Sequence, residues 1–196
     1  MWNNRNLHKC RIMLISLDTM KQIKSKLAQV WVETAVYTLI GLTIIAILLA
    51  IITPQIEKTK DRAIIEDTVK ALEEINSKIL NAGEIAGNVR IVDLKLSKGT
   101  LIINPSTDEL IYTLENTRLE LSEPDEELKE GNLILKTEKI GSRYNVILKL
   151  SYENINLTFN QGNLEKTIQQ GTTPYKLKIE NMGELNSKTN IDLSTI

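Results

Sequence analysis

The chain has 196 residues, with 24 Lys and Arg against 25 Asp and Glu and a formal charge of −1. That length suits one globular domain with an appendage and not two full cores, since domains usually run to about 100–200 residues. The balance is uneven along the chain: six basic residues (Arg5, Lys9, Arg11, Lys21, Lys24, Lys26), the single His8 and the single Cys10 all lie in the first 28 residues, beside only one acid, Asp18. A product lacking that segment would carry 18 basic and 24 acidic residues, a charge of −6. It would have no basic excess for nonspecific nucleic-acid binding. It would also have no Cys or His from which to build a disulfide, a Cys/His metal site or a Cys/His or Ser/His nucleophile. No cofactor is expected.

The first element in chain order is the basic stretch before residue 28, with Met20 opening a short version of it, 20–28, that holds Lys21, Lys24 and Lys26. It leads into Lys24-Ser25-Lys26-Leu27-Ala28-Gln29-Val30-Trp31-Val32-Glu33. Residues 35–52, AVYTLIGLTIIAILLAII, follow without a charge. Eighteen helical residues span roughly 27 Å, enough to cross a bilayer core. Only Thr38, Gly41 and Thr43 interrupt the apolar surface, whereas a soluble amphipathic helix would carry a polar face. Positive charge crowds before the run and mixed signs (Glu57, Lys58, Lys60, Asp61, Arg62) follow it, so the N-terminus is expected in the cytoplasm and the C-terminal part outside. A removable secretory signal fits badly, because the apolar core is too long and no pair of small residues follows it.

Glu33 stands out, because a carboxylate costs about 2.5–3.5 kcal/mol near a bilayer centre, and less near the interface, so it is usually there for a partner. Cutting the chain after Ala28 would supply one. The new α-amine of Gln29 lies four residues away, on the same helix face, and could pair within one subunit or between neighbours. The competing interpretation makes Glu33 the interfacial end of the span, beside an aromatic belt of Trp31 and Tyr37.

This order of small residue, Gln29, three mainly apolar residues, Glu33 and an uninterrupted hydrophobic run resembles the class III signal of archaeal type IV pilins, over residues 24–54. The resemblance implies a cut between Ala28 and Gln29 by a membrane prepilin peptidase, retention of the apolar segment, and a Glu33–Gln29 pairing that sets subunit register in a filament. It also implies as partners an assembly ATPase, a polytopic platform protein, membrane lipid before assembly and further copies of the chain itself, and it implies no enzymatic activity. Ala28 departs from the family's more usual Gly, and the 28-residue leader is long. Archaellins generally lack the acid at this spacing, which favours a pilus or pseudopilus subunit. Two other classes stand beside this one: a single-pass surface adhesin or accessory binding protein, and an enzyme built on paired carboxylates, although no spacing singles out a couple.

Beyond the span, Pro54 is expected to end or kink the helix, which then resumes. Apolar Ile64, Ile65, Val69, Leu72, Ile75, Ile79 and Leu80 recur at steps of three and four, against Glu66, Asp67, Lys70, Glu73, Glu74 and Lys78 on the other side. Asn81-Ala82-Gly83 supplies a stop.

From residue 89 the period changes to two, with strands expected at 89–96, 101–104, 110–114, 133–138, 144–151, 155–159, 175–180 and 190–193. Lys98-Gly99, Gly141-Ser142, Gln161-Gly162 and Met182-Gly183 are expected to be hairpin turns of an antiparallel meander. The acidic segment 123–130 reads as an exposed loop. With one Phe in the chain and both Trp (Trp2, Trp31) outside this region, an aromatic carbohydrate cleft has little support, although Tyr112, Tyr144, Tyr152 and Tyr175 remain available. Asn156-Leu157-Thr158 is the one possible glycosylation acceptor, Asn104-Pro105-Ser106 being excluded by its proline.

The expected fold class is α+β: a leader (1–28), a membrane or filament-core helix (29–53), an amphipathic stalk (54–83) and a β-rich head (84–196) built as an antiparallel sheet or sandwich.

Overall fold

The computed structural model describes the backbone of residues 4–196 and the side chains of residues 30–196. It is an α+β structure with one long helix, α1 (Asn4–Gly83), and ten strands in two sheets. The chain divides into two compact units, Met1–Thr53 and Pro54–Ile196. Helical backbone is unbroken at Pro54, so the proline does not end the helix as a sequence rule allows.

In the first unit every described residue, 30–53, is exposed. Its threonine hydroxyls are nonetheless satisfied. Thr34, Thr38, Thr43 and Thr53 each donate Oγ1–H to the carbonyl four residues earlier, at 2.7–2.9 Å. This back-bonding leaves the surface of the run effectively apolar.

In the second unit, helix residues 54–83 bury Asp61, Ile65, Thr68, Leu72, Ile75, Ile79 and Ala82, at alternating steps of four and three. The seam matches the apolar periodicity at Ile65, Leu72, Ile75 and Ile79, while Leu80 is exposed and Asp61 and Thr68 take two of the inward places. These residues join a single core with the inner faces of both sheets.

The first sheet has the order β1-β9-β10-β7, from β1 (Val89–Leu94), β9 (Tyr175–Leu185), β10 (Lys188–Thr195) and β7 (Ile155–Phe159). The second has the order β4-β5-β6-β3-β2-β8, from β2 (Thr100–Asn104), β3 (Glu109–Thr117), β4 (Glu127–Glu130), β5 (Leu133–Ile140), β6 (Arg143–Ser151) and β8 (Lys166–Gln169). Alternation is clear: Leu110, Tyr112 and Leu114 of β3 and Val146, Leu148 and Leu150 of β6 point inward, and their neighbours do not.

The connections depart from a simple meander. β7 and β10 pair in parallel. Lys98-Gly99 joins strands of different sheets, and a Cβ at Gly99, where φ is +81°, would meet the Thr113 carbonyl oxygen at 2.6 Å. Gly141-Ser142 is a two-residue hairpin loop closed by the Ile140–Arg143 pair, as expected. Gln161-Gly162 belongs to a tight turn that leaves β7 for the other sheet. Met182-Gly183 is a bulge inside β9, where the register against β10 slips, and the β9–β10 turn is Asn186-Ser187, with φ of 51° and 66°. Two positive φ values are what a type I′ hairpin turn requires. The acidic segment 123–130 is only partly loop, because its second half pairs with β5 as the fully exposed edge strand β4.

Candidate functional site

Ala28 and Gln29, the residues expected from the sequence to flank a cut, lie outside the described side chains. Glu33 is exposed and has an interaction partner. Nearby Trp31 and Tyr37 are 80 % and 72 % exposed, respectively. Val30–Gly83 contains the one stretch among the described residues that is long and apolar enough to cross a membrane.

The chemistry of the head concentrates where residues 54–68 of the helix meet β3 and the segment after it. Asp61 is 5 % exposed. Its Oδ1 accepts from Lys98 Nζ at 2.8 Å and its Oδ2 from Thr117 Oγ1 at 2.5 Å. Thr117 Oγ1 in turn accepts the Leu119 backbone N–H at 3.0 Å. Tyr112 donates its hydroxyl to the Lys98 carbonyl at 2.7 Å, and burial pushes its pKa up. A carboxylate placed in the apolar seam thus ties helix, loop and strand together, with both oxygens satisfied.

One turn earlier, Glu57 Oε2 pairs with Arg118 Nε at 2.8 Å and with Arg143 at 3.5 Å. Beside it opens a cavity of about 490 Å³ lined by Gln55, Lys58, Thr59, Arg62, Arg118 and Tyr144, with Glu120 as its one acid. Tyr144 donates to Glu120 at 3.0 Å, and that bond raises the tyrosine pKa. Lys58 and Arg62 are exposed and form no ion pair with any described residue.

The helix C-terminus is closed by a residue far away in sequence. Asn181, 3 % exposed on β9, donates Nδ2–H to the carbonyls of Ala82 and Gly83 at 2.9 and 3.2 Å. Those carbonyls would otherwise be orphaned.

Asn156 lies on β7, at the edge of its sheet. Its Nδ2, the atom that would carry a glycan, donates to Asn190 Oδ1 at 2.9 Å, and the Thr158 hydroxyl is turned into buried Asp192 at 2.8 Å. A second cavity, about 510 Å³, is bounded by Leu80, Asn132, Tyr152 and Asn154. The Tyr152 hydroxyl is buried without a hydrogen-bond partner, and burial raises its pKa strongly.

No group of three or more His, Cys, Asp or Glu positioned to hold a metal occurs among the described residues. The comparisons with known proteins are silent. The chain matches no family model, and no significant match is found to a curated protein or to a solved structure.

Sequence reasoning missed Asp61, Lys98, Thr117 and Asn181 as determinants of how the helix seats on the head. The signal for Asp61 was present, since it falls at four- and three-residue spacing before Ile65 and Thr68, but it lies in a charged run that reads as solvated.

Proposed function

We propose that this chain is a structural subunit of an archaeal type IV pilus-like surface filament, and not an enzyme. It would be inserted as a single-pass precursor with its N-terminus inside and its head outside. A prepilin peptidase cuts it between Ala28 and Gln29, and an assembly ATPase with a membrane platform protein moves it into a filament of its own copies. The freed amine of Gln29 pairs with Glu33 and sets the subunit register.

The observation that carries this reading is the contrast within one helix. Residues 30–53 expose an apolar surface, whereas residues 54–83 contribute Ile65, Leu72, Ile75 and Ile79 to the core of a β-rich head. An exposed run of some twenty apolar side chains is untenable in water, at ~25 cal/mol per Å² of apolar surface, and needs either lipid or like helices around it. The signal-like order of Ala28, Gln29 and Glu33 before that run supports cutting upstream of it, so that the run is retained.

The test is N-terminal sequencing of protein extracted from its native membrane, together with Ala28→Arg. A start at Gln29, and a larger membrane-bound species without filaments in the variant, are expected. Filaments built from uncut chain would refute the proposal.

A further inference from the structure

The cavity beside Glu57 plays no part in the proposed filament assembly. Its cations come from two sources: Lys58 and Arg62 from one face of α1, and Arg118 from the segment after β3. Arg143 reaches the same Glu57 from β6. Facing them are Glu57, already shared by the two arginines, and Glu120, which holds the Tyr144 hydroxyl. Asp61 is turned away and saturated by Lys98 and Thr117. The lining holds three cations, Lys58, Arg62 and Arg118, against one engaged carboxylate, Glu120, which leaves a net positive concavity, and Lys58 and Arg62 form no ion pair among the described residues.

The position of these residues along the chain selects the ligand. Gln55 to Arg62 follow the last residue of the apolar run, Ile52, by three to ten positions. At 1.5 Å per helical residue that is about 5–15 Å of chain, which starts within the headgroup layer of about 5–8 Å per leaflet and ends just beyond it, within reach of long Lys and Arg side chains. Fork-shaped guanidinium groups beside an ammonium suit a phosphodiester oxygen pair, which a water-exposed charge run would not hold in place.

We infer that the cavity formed by Lys58, Arg62, Arg118 and Tyr144 binds the phosphate headgroup of an anionic lipid while the chain is in the membrane. The inference rests on the membrane-inserted stage of the proposed function and not on processing or assembly. The headgroup oxygens accept hydrogen bonds from Lys58, Arg62 and the unshared N–H groups of Arg118, and the acyl chains remain in the bilayer.

The experiment uses the full chain purified in a neutral detergent, with lipid retention read by native mass spectrometry. Phosphatidylglycerol and phosphatidylcholine are the probes, and inorganic phosphate is the competitor. Wild type should retain phosphatidylglycerol in preference to phosphatidylcholine, and millimolar phosphate should not displace it. Lys58→Gln with Arg62→Gln, both exposed helix positions, should weaken phosphatidylglycerol retention about 25-fold, at about fivefold per cation. Lys70→Gln with Lys78→Gln, the same loss of charge further along the helix, should change it less than twofold. Equal retention of the two lipids, equal loss in both double variants, or full displacement by phosphate would each overturn the inference. Membrane integration is scored separately by alkaline extraction, so a chain that fails to integrate refutes the membrane reading, and one that integrates without lipid preference refutes only the headgroup site.

Discussion

Replacing Asp61 by Ala tests whether the buried carboxylate is what seats the helix on the head. Two hydrogen bonds are lost, from Lys98 at 2.8 Å and from Thr117 at 2.5 Å. They are not equivalent. The Lys98 side chain is 40 % exposed, so its ammonium recovers water when the partner leaves, and its share falls in the surface ion-pair range of about 0–1 kcal/mol. Thr117 is fully buried, and stranding its hydroxyl costs about 1–3 kcal/mol. The sum is roughly 1–4 kcal/mol of destabilisation. Urea unfolding of the full chain in neutral detergent, followed by far-UV ellipticity, measures it. Double-mutant cycles with Thr117→Val and Lys98→Met then apportion it. The Asp61–Thr117 coupling should exceed the Asp61–Lys98 coupling by about 1 kcal/mol. A total effect below about 0.5 kcal/mol, or the reverse ranking of couplings, would refute the reasoning.

The other predictions concern residues with sharply different surroundings. Tyr152→Phe removes a buried hydroxyl without a partner and should leave stability unchanged or raise it slightly, whereas Tyr112→Phe loses the bond to the Lys98 carbonyl and should cost about 1 kcal/mol in the same unfolding assay. Both tyrosines have raised pKa values through burial, so the folded state favours the protonated phenol; stability is intact below the ordinary tyrosine range and declines as pH rises above about 10. Tyr152→Phe should make the alkaline decline shallower, as a pH series of urea midpoints would register. Gly99→Ala should destabilise by at least about 2 kcal/mol, since it combines a strained positive φ with a clash against backbone, and thermal melts would reveal it. On the proposed function, Glu33→Gln should leave membrane insertion intact and abolish filaments viewed by negative-stain microscopy; normal filaments from the variant would refute the Gln29–Glu33 pairing as the determinant of register.

Periodicity made most of the architecture legible. Ile65, Leu72, Ile75 and Ile79 mark the buried seam, and alternation in 110–114, 144–151 and 155–159 marks strands whose inward residues form the core. Where the reading slipped, the cause was local chemistry overridden by partners distant in sequence. β4 has both faces exposed and one apolar residue, Leu128, among Glu127, Lys129 and Glu130, so it carries no apolar period. β8 contributes only Ile168 to the core, too little signal in four residues. Met182-Gly183 has the composition of a turn but serves as a bulge, and the turn fell to Asn186-Ser187, whose short polar side chains tolerate the left-handed region. The parallel pairing of β7 with β10 joins segments some thirty residues apart, for which no local pattern exists. The cationic cavity was invisible for the same reason: Lys58 and Arg62 become part of a cluster only when the segment after β3 brings Arg118 into the same concavity.

The threonines of the apolar run carry one more consequence. Because Thr34, Thr38, Thr43 and Thr53 each donate their proton to their own helix, these four side chains make no demand for a polar neighbour. Acyl chains and the flanks of other apolar helices are then nearly interchangeable environments for it, differing in fit and not in hydrogen bonding. On the proposed function, such a rod would pass from one greasy medium to another without stranding a threonine hydroxyl on the way.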